Sequence, residues 1–216
     1  MTVKDTIIKF IYRVPRKIRR IYYHRFNRML FRYYGAKFGK NLQVYNKIYI
    51  NIEKGASLSI GDNFCLTSGD CYNPLSRNLY GSISLEGINT IVVMGDDTGM
   101  SSPCIWAKQS ITIGNRVKIG GDVIIMDSDA HSLDYKIRSS REKIDGFSLD
   151  RLSAKCAPIV VEDDVLIGTR CIILKGVTIG ARSVIAAGSV VTKSIPADCI
   201  AGGNPCRVIR YFKKTD

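Results

Sequence analysis

One histidine of this chain lies in a short polar segment rich in aspartate and is a candidate for acid–base chemistry. His131 belongs to the sequence Asp-Ser-Asp-Ala-His-Ser-Leu-Asp at residues 127–134. A neutral imidazole accepts the proton of an attacking hydroxyl near pH 7, so His131 is a candidate general base. Asp127, Asp129 or Asp134 would hold its second ring nitrogen and fix the tautomer, and in an extended segment residues 127, 129 and 131 point to the same side. The plainer interpretation is a surface histidine in a turn.

The histidines and cysteines indicate neither a zinc site nor a disulfide framework. The chain has two histidines, and His24 lies among aromatic and basic residues near the N-terminus, where a structural or interfacial role is expected. A zinc site built from three histidines is therefore excluded, and no metal is predicted. The seven cysteines form no Cys-x-x-Cys pair, and their odd number argues against a fully paired disulfide framework. Small buried thiols in a reducing cytoplasm are the expectation.

An aliphatic residue recurs at six-residue intervals on both sides of the histidine segment. These positions are Ile113, Ile119 and Ile125 before it, and Val161, Ile167, Ile173, Ile179, Ile185 and Val191 after it. Six residues is the period of neither an α-helix nor an ordinary strand, so the unit must be stacked along an axis. With small residues between the aliphatic ones, the repeat predicts an all-β solenoid, a parallel β-helix whose aliphatic side chains face inward.

The pattern divides the chain into three regions. Residues 1–40 are predicted as a basic amphipathic helical arm, residues 41–196 as the β-helix, and residues 197–216 as a basic tail. Pro15 removes a backbone donor, so two helical pieces are expected in the arm. At about residues 132–158 the repeat is lost and charge is gained. A loop insertion of this length is usually functional or mobile.

Positive charge is concentrated in the arm. The formal net charge is +13, and residues 1–40 hold twelve basic residues against Asp5 alone. The arm could cap an open end of the solenoid, lie on an anionic membrane surface or bind nucleic acid. No nucleic-acid motif accompanies the charge, so no nucleic-acid partner is expected. Because no apolar stretch of about 18 residues occurs, the expected location is the cytoplasm, with peripheral contact to the inner face of a membrane through residues 1–34 as the alternative to capping.

Motifs in the second half of the chain resemble those of the hexapeptide-repeat acyltransferases, in the branch of sugar and polysaccharide O-acetyltransferases. They are Ile-Ile-Leu-Lys-Gly-Val-Thr-Ile-Gly at residues 172–180, Gly-Ser-Val-Val-Thr-Lys at 188–193 and Ala-Gly-Gly-Asn-Pro-Cys-Arg-Val-Ile-Arg at 201–210. Together with residues 127–134 they form an ensemble far more specific than a single hexad. The sequence departs from the family at Leu166, where many members have tryptophan.

The resemblance implies a left-handed parallel β-helix that forms a homotrimer, with acetyl-CoA and acceptor meeting between subunits. It implies that His131 is the catalytic residue. Positions that match the coenzyme channel or its phosphate contacts are Gly168, Thr169, Ala187, Thr192, Lys193, Arg207 and Arg210. Acceptor contacts are expected from Asp127, Asp129, Ser101 and Ser102, the two serines standing where some sugar acetyltransferases have an asparagine. Ammonium and guanidinium groups suit the phosphates of CoA.

The activity that follows from the resemblance is acetyl-CoA-dependent O-acetylation of a saccharide hydroxyl, on a cell-surface polysaccharide or its precursor. The oxyanion donor, most plausibly a backbone N–H, is not assigned by the sequence. N-acetylation of an amino sugar and O-acetylation of serine are the alternatives among enzymes. A non-catalytic β-helix that binds a partner is the alternative from a different class.

Overall fold

The computed structural model describes residues 3–69 and 72–213, with side chains from residue 14 onward. The chain winds through three largely parallel sheets, because each coil of the solenoid contributes one short strand to each sheet. The first sheet contains β1 (Lys37–Phe38), β4 (Ser57–Ile60), β7 (Ile91–Met94), β10 (Ser110–Ile113), β15 (Ile159–Val161) and β18 (Thr178–Ile179). The second contains β2 (Gln43–Tyr45), β5 (Cys65–Thr67), β8 (Gly99–Ser101), β11 (Lys118–Gly121), β16 (Leu166–Ile167), β19 (Val184–Ile185), β21 (Cys199–Gly202) and β22 (Arg207–Tyr211). The third contains β3 (Ile48–Ile52), β6 (Gly81–Leu85), β9 (Cys104–Ala107), β12 (Ile124–Met126), β17 (Ile172–Leu174) and β20 (Val190–Val191).

The aliphatic residues of the hexads stack in register in the solenoid core. In the first sheet Ile113 lies beside Val161, which lies beside Ile179. The second and third sheets align their hexad residues in the same way. All nine of these side chains are at most 3% exposed, and burying each stabilises the fold by about 1.5–3 kcal/mol. The predicted stacked repeat is confirmed.

Three rows of turns join the sheets. The first corner connects the first sheet to the second, the second corner connects the second to the third, and the third corner leads back to the first sheet of the next coil. At the first corner a residue with left-handed backbone recurs, for example Arg116 at φ 56°, Asp164 at φ 61° and Arg182 at φ 60°. Side chains also connect successive turns there, since Asp163 Oδ1 accepts the backbone N–H of Asn115 at 2.8 Å. The coils are therefore held together at this corner as well as in the sheets.

The insertion, residues 127–158, leaves the solenoid at the third corner. It contains α2 (Tyr135–Ser139), an antiparallel hairpin of β13 (Lys143–Ile144) and β14 (Phe147–Ser148), and α3 (Leu149–Leu152). On either side of it β10 pairs with β15 and β12 pairs with β17, in parallel and in register. The ladder therefore continues past the insertion undisturbed.

A shorter irregular segment interrupts the second corner between β5 and β6. It contains a 3₁₀ turn at Pro74–Ser76. Cys71 lies outside the described residues. A Cβ added to Gly121 would lie 3.1 Å from Ser76 Oγ and 3.3 Å from the carbonyl carbon of Leu75. The segment therefore packs along the second corner as far as the coil of β11.

The N-terminal arm is a single helix, α1 (Val3–Tyr33), which contains Pro15. The prediction of two helical pieces is wrong, because a proline removes one backbone donor while its neighbours keep theirs, and the chain stays helical. Near the C-terminal end of α1, Asn27 is buried and its Nδ2 donates to the carbonyls of Val44 at 3.0 Å and Asn46 at 2.8 Å. Phe31 is fully buried beside it. This end of the helix covers the first coil.

The ends of the solenoid differ from the boundaries drawn from the sequence. The parallel ladder begins at β1, within the predicted arm, and includes β21, within the predicted tail. β22 then turns back antiparallel to β21 and closes the second sheet. Residues 214–216 of the tail lie outside the described residues.

Candidate functional site

His131 projects from the third corner at the start of the insertion. Its turn is tight: Ala130 has φ 64°, and the backbone N–H of His131 donates to the Asp129 carbonyl at 2.7 Å. A left-handed alanine carries about 1 kcal/mol or more of strain, so the surrounding contacts must enforce this conformation. The side chain of His131 is 63% exposed. The ring is therefore fixed at its base and accessible at its tip.

A carboxylate of the insertion holds the imidazole. Asp150 Oδ2 lies 2.6 Å from His131 Nδ1, and its Oδ1 accepts the backbone N–H of Ser132 at 2.7 Å. The hydrogen bond from His131, with smaller contributions from the Ser132 N–H and the charge of Arg138, lowers the pKa of Asp150. An ionised carboxylate at this position fixes the proton on Nδ1 and leaves Nε2 as a proton acceptor. The arrangement suits a general base.

The partner of His131 differs from the three aspartates considered from the sequence. Asp127 is fully buried, with Oδ1 accepting the N–H of Lys108 at 2.7 Å and Oδ2 that of Gln109 at 2.8 Å. Burial raises the pKa of Asp127, and those backbone hydrogen bonds oppose the shift. The assignment of Asp127 to acceptor binding is therefore corrected: its carboxylate joins two coils and has no exposed surface for an acceptor.

The other two aspartates are also engaged. Asp129 Oδ1 forms an ion pair with Lys175 Nζ at 2.7 Å, and its buried Oδ2 has no hydrogen-bond partner among the described residues. Asp134 caps α2 by accepting the N–H of Lys136 at 2.8 Å. Asp129 thus remains beside the histidine turn as a candidate for acceptor contacts, whereas Asp134 has a structural role.

An ion pair and an apolar column flank the third corner, from which His131 projects. Arg151 Nη2, next to Asp150 in sequence, binds Glu86 Oε2 at 2.7 Å and ties the insertion to an earlier coil. On the outer face of the third sheet, Met126 lies in register between Trp106 and Leu174. These three side chains are half-buried and directly precede the third corner. The outer face of the third sheet is therefore apolar where it reaches the third corner.

The second corner collects the small residues predicted for the coenzyme. Gly168, Thr169 and Ala187 lie here in successive coils, and a Cβ on Gly168 would be 2.5 Å from the Ala187 backbone nitrogen. Ser101 Oγ accepts from Thr67 Oγ1 at 3.1 Å. Ser102 is buried, and its Oγ accepts the N–H of Gly69 at 2.9 Å. The assignment of Ser102 to acceptor binding is corrected as well, because its hydroxyl holds the segment that covers this corner.

Known proteins share this repeat. Residues 158–193 match the family model described as the hexapeptide repeat of succinyl-transferase. The galactoside O-acetyltransferase of Escherichia coli K12 is 38% identical over 107 residues, or 50% of this chain and 47% of that protein. A 2,3,4,5-tetrahydropyridine-2,6-dicarboxylate N-acetyltransferase of Staphylococcus aureus is 46% identical over 54 residues, or 25% of this chain and 23% of that protein. The chain spans less than half the length of these curated relatives.

The likeness extends to the structure. A hexapeptide-repeat acetyltransferase of Vibrio cholerae O1 biovar eltor, crystallised with acetyl-CoA, has a TM-score of 0.50 and 28% identity, and the match covers 87% of this chain and 76% of that chain. The chain belongs to the hexapeptide-repeat acyltransferase family. The predicted fold class, a left-handed parallel β-helix with a helical arm, is confirmed.

The remaining coenzyme candidates of this hexapeptide-repeat protein are all exposed basic or small side chains near its C-terminal end. Thr192 and Lys193 lie at the third corner, after β20, while Arg207 and Arg210 lie on β22. Lys193 is two coil steps from the coil that carries His131, or roughly 10 Å along the axis. The structure therefore divides the predicted coenzyme residues between the second corner, the third corner and the edge strand.

Sequence reasoning missed Asp150, the residue that completes the histidine pair. The only signal was an excess of charge in the segment after His131, and that excess does not single out one carboxylate. In the described part of the chain, no group of three or more His, Cys, Asp or Glu is placed to hold a metal ion. No helix there is both long and apolar enough to cross a bilayer.

Proposed function

We propose that this hexapeptide-repeat protein is an acetyl-CoA-dependent O-acetyltransferase that acts on a saccharide hydroxyl. The observation that carries the proposal is His131, exposed at its tip and bonded through Nδ1 to Asp150 at 2.6 Å. A histidine in a turn without function would not require a nearly buried carboxylate on its inner nitrogen. Such a pair is suited to taking a proton from a neutral hydroxyl.

The proposed reaction has two steps. His131 Nε2 takes the proton of the acceptor hydroxyl while the acceptor oxygen forms a bond to the thioester carbonyl carbon. When the tetrahedral intermediate collapses, its C–S bond breaks and the imidazolium gives the proton to the departing thiolate. The products are an acetyl ester and free CoA. Asp150 remains ionised throughout and stabilises the imidazolium between the two steps.

The residues present fit a coenzyme that carries acetyl as a thioester. Pantetheine needs a narrow path between backbones, and Gly168, Thr169 and Ala187 are small residues at one corner. The phosphates need cations, and Lys193, Arg207 and Arg210 form no ion pair with a described residue. Guanidinium and ammonium groups bind phosphate through charge-assisted hydrogen bonds.

The histidine pair favours oxygen over nitrogen as the acceptor atom. A hydroxyl must lose its proton as it attacks, whereas a neutral amine already has a free lone pair, so the base matters more for O-acetylation. The relatives named above include both an O-acetyltransferase and an N-acetyltransferase. N-acetylation of an amino sugar is therefore the second candidate. A saccharide acceptor is supported by the galactoside O-acetyltransferase and by the polar side chains Asp129 and Ser101 near the two corners.

A homotrimer with sites between subunits is part of the proposal. In one chain, Gly168, Thr169 and Ala187 lie at the second corner, whereas His131 lies at the third. These two corners are at opposite ends of the strands of the third sheet. In a closed ring, the second corner of one subunit can approach the third corner of its neighbour. Peripheral attachment to a membrane through residues 1–34 is also proposed, supported by the net positive charge of the arm.

Thiol release from acetyl-CoA, measured with a panel of hydroxyl sugars, amino sugars and serine, tests the proposal. Wild type is compared with His131→Ala and with Lys143→Gln, an exposed residue on the same insertion. We expect a hydroxyl sugar to stimulate release, and His131→Ala to lower the rate by about 10²–10⁴-fold while Lys143→Gln has no effect. If no acceptor stimulates release, the chain is a binding scaffold. If His131→Ala is fully active, His131 is not the general base and the proposed mechanism is wrong. If only amino sugars react, the N-acetyltransferase replaces the proposed activity.

A further inference from the structure

Two faces of α1 have different surroundings. The face that carries Asn27 and Phe31 is buried on the first coil. The opposite face exposes large apolar side chains, namely Ile18 at 61%, Ile21 at 49%, Tyr22 at 57%, Met29 at 59% and Tyr33 at 82%. These large apolar side chains of the amphipathic arm are therefore directed away from the solenoid. Exposed apolar surface of this extent marks an interaction site.

The exposed face forms a shallow apolar cleft along the helix. It has a volume of about 510 Å³ and is lined by Ile18, Ile21, Tyr22, Arg25, Phe26 and Met29. Tyr22 and Phe26 stack at 5.7 Å between ring centroids, which keeps the floor of the cleft flat and aromatic. Tyrosine and aliphatic side chains on one helix face, next to arginine, are typical of helices that lie at the boundary between lipid tails and water.

A basic cleft lies beside it, between α1 and the first coil. It has a volume of about 420 Å³, with Arg20, Ile21, His24 and Arg25 on the helix side and Asn41, Gln43 and Tyr45 on the coil side. Arg20 and Arg25 form no hydrogen bond or ion pair with any residue that the structure describes. Asp5 is the only acidic residue in 1–40. Two guanidinium groups that line one cleft, without a partner among the described residues, are suited to binding an anion.

The two clefts are continuous, because Ile21 and Arg25 line both. A ligand that fills them has an anionic oxygen group at one end and an apolar chain at the other. Nucleic acid supplies only the first part. A second copy of the arm would bring like charges together, which is unfavourable. An anionic phospholipid supplies both parts.

We propose that α1 docks on an anionic phospholipid bilayer, with a lipid phosphate in the basic cleft and acyl chains against the apolar cleft. This inference rests on the peripheral membrane location proposed above and assigns it to particular side chains. The first coil then lies on the bilayer side of the solenoid, and His131 is three coil steps from it along the axis, or roughly 15 Å. The helix α1 adds about 10 Å between the first coil and the bilayer. A lipid-linked acceptor would reach His131 through its first few sugar units.

Vesicle flotation of the full chain tests the proposal, with mixed phosphatidylcholine and phosphatidylglycerol vesicles against pure phosphatidylcholine. Arg20→Gln/Arg25→Gln is compared with Arg16→Gln/Lys17→Gln, which removes the same charge from exposed positions of the same helix outside both clefts. If the attraction to the anionic surface is only diffuse, each charge that is removed should weaken vesicle binding about fivefold. The two double variants would then lose the same amount of binding. Charge-assisted hydrogen bonds to the phosphate should make the loss for Arg20→Gln/Arg25→Gln about tenfold larger.

The apolar cleft is tested by Ile18→Ser/Met29→Ser against Ile88→Ser, which changes an exposed isoleucine on a turn of the solenoid. Only the double variant should reduce flotation. Equal losses for the two charge pairs would overturn the phosphate site, and no flotation of the wild type would overturn the membrane location. A change of oligomeric mass for Ile18→Ser/Met29→Ser, measured by sedimentation, would show that a second copy covers this face and would also overturn the proposal. Thiol release with a soluble acceptor, measured on every variant, reports separately on the acetyltransferase.

Discussion

Replacing Asp150 with asparagine tests whether the insertion prepares His131 for catalysis. The carboxylate accepts two N–H groups, from His131 Nδ1 at 2.6 Å and from the Ser132 backbone at 2.7 Å. An amide accepts at one atom and donates at the other, so it satisfies one of these contacts and opposes a donor with a donor at the other. If the amide nitrogen faces the ring, the imidazole proton moves to Nε2. That tautomer cannot accept the proton of a hydroxyl.

The size of the effect follows from the role of the base. General-base catalysis contributes about 10²–10⁴ in rate, and an imidazole in the wrong tautomer loses most of that contribution. We expect Asp150→Asn to lower kcat by about 100-fold or more and to leave KM for acetyl-CoA nearly unchanged, because the carboxylate contacts His131 and not the predicted coenzyme residues. Asp150→Glu should restore part of kcat, since it keeps an anionic acceptor.

Steady-state thiol release supplies the measurement, and Asp145→Asn supplies the control. Asp145 is exposed at the turn of the same insertion and undergoes the same change of charge. Asparagine also tolerates its left-handed backbone, φ 50°. If Asp150→Asn retains wild-type kcat, or raises only KM, the carboxylate does not position the base and the proposed histidine pair is wrong.

Three further predictions concern stability. A Cβ on Gly168 would lie 2.5 Å from the Ala187 nitrogen, so Gly168→Ala should lower the free energy of unfolding in urea by about 1–3 kcal/mol; Gly99→Ala, whose nearest contact would be at 3.5 Å, should change it little. Asn27→Ala leaves the carbonyls of Val44 and Asn46 unpaired and should remove about 1–3 kcal/mol in thermal unfolding, unlike the exposed Asn51→Ala. Because the pKa of Asp150 is lowered in the folded state, its stabilisation is present above the ordinary carboxyl pKa of about 3.9 and is lost as pH falls through the lowered value. The difference in urea midpoint between wild type and Asp150→Asn should therefore shrink on acidification, and a difference that grows would contradict a stabilising hydrogen bond to the ionised carboxylate.

Features of the fold that depend on local repetition could be predicted from the sequence. Each inward position of a coil packs against the equivalent position of the next coil. The regular spacing of Ile167, Ile173 and Ile179 therefore predicts that the strands are parallel and which residues pair. The position of His131 follows for the same reason, since an interruption of the repeat must leave the solenoid at a corner. These properties need no knowledge of distant contacts.

The partner of His131 and the packing of the arm depend on distant contacts and could not be predicted. Asp150 is separated from His131 by α2 and a hairpin, and only the fold of the insertion brings the two side chains together. An amphipathic cap is expected to cover the solenoid with its apolar side chains alone. The covered face of α1 instead combines Phe31 with Asn27, because the open edge of a coil offers carbonyls that an amide can pair and an aliphatic side chain cannot.

The unbroken ladder on either side of the insertion affects how readily the insertion itself can vary. The two ends of residues 127–158 are held next to each other by β12 and β15, whose partners are already paired. Closing a loop between two fixed neighbouring points adds only about 0.6 kcal/mol for each doubling of its length. Segments of different length and composition can therefore replace one another at this corner with little change in stability. For the proposed function, acceptor preference could diversify at this corner while the frame of the solenoid stays the same.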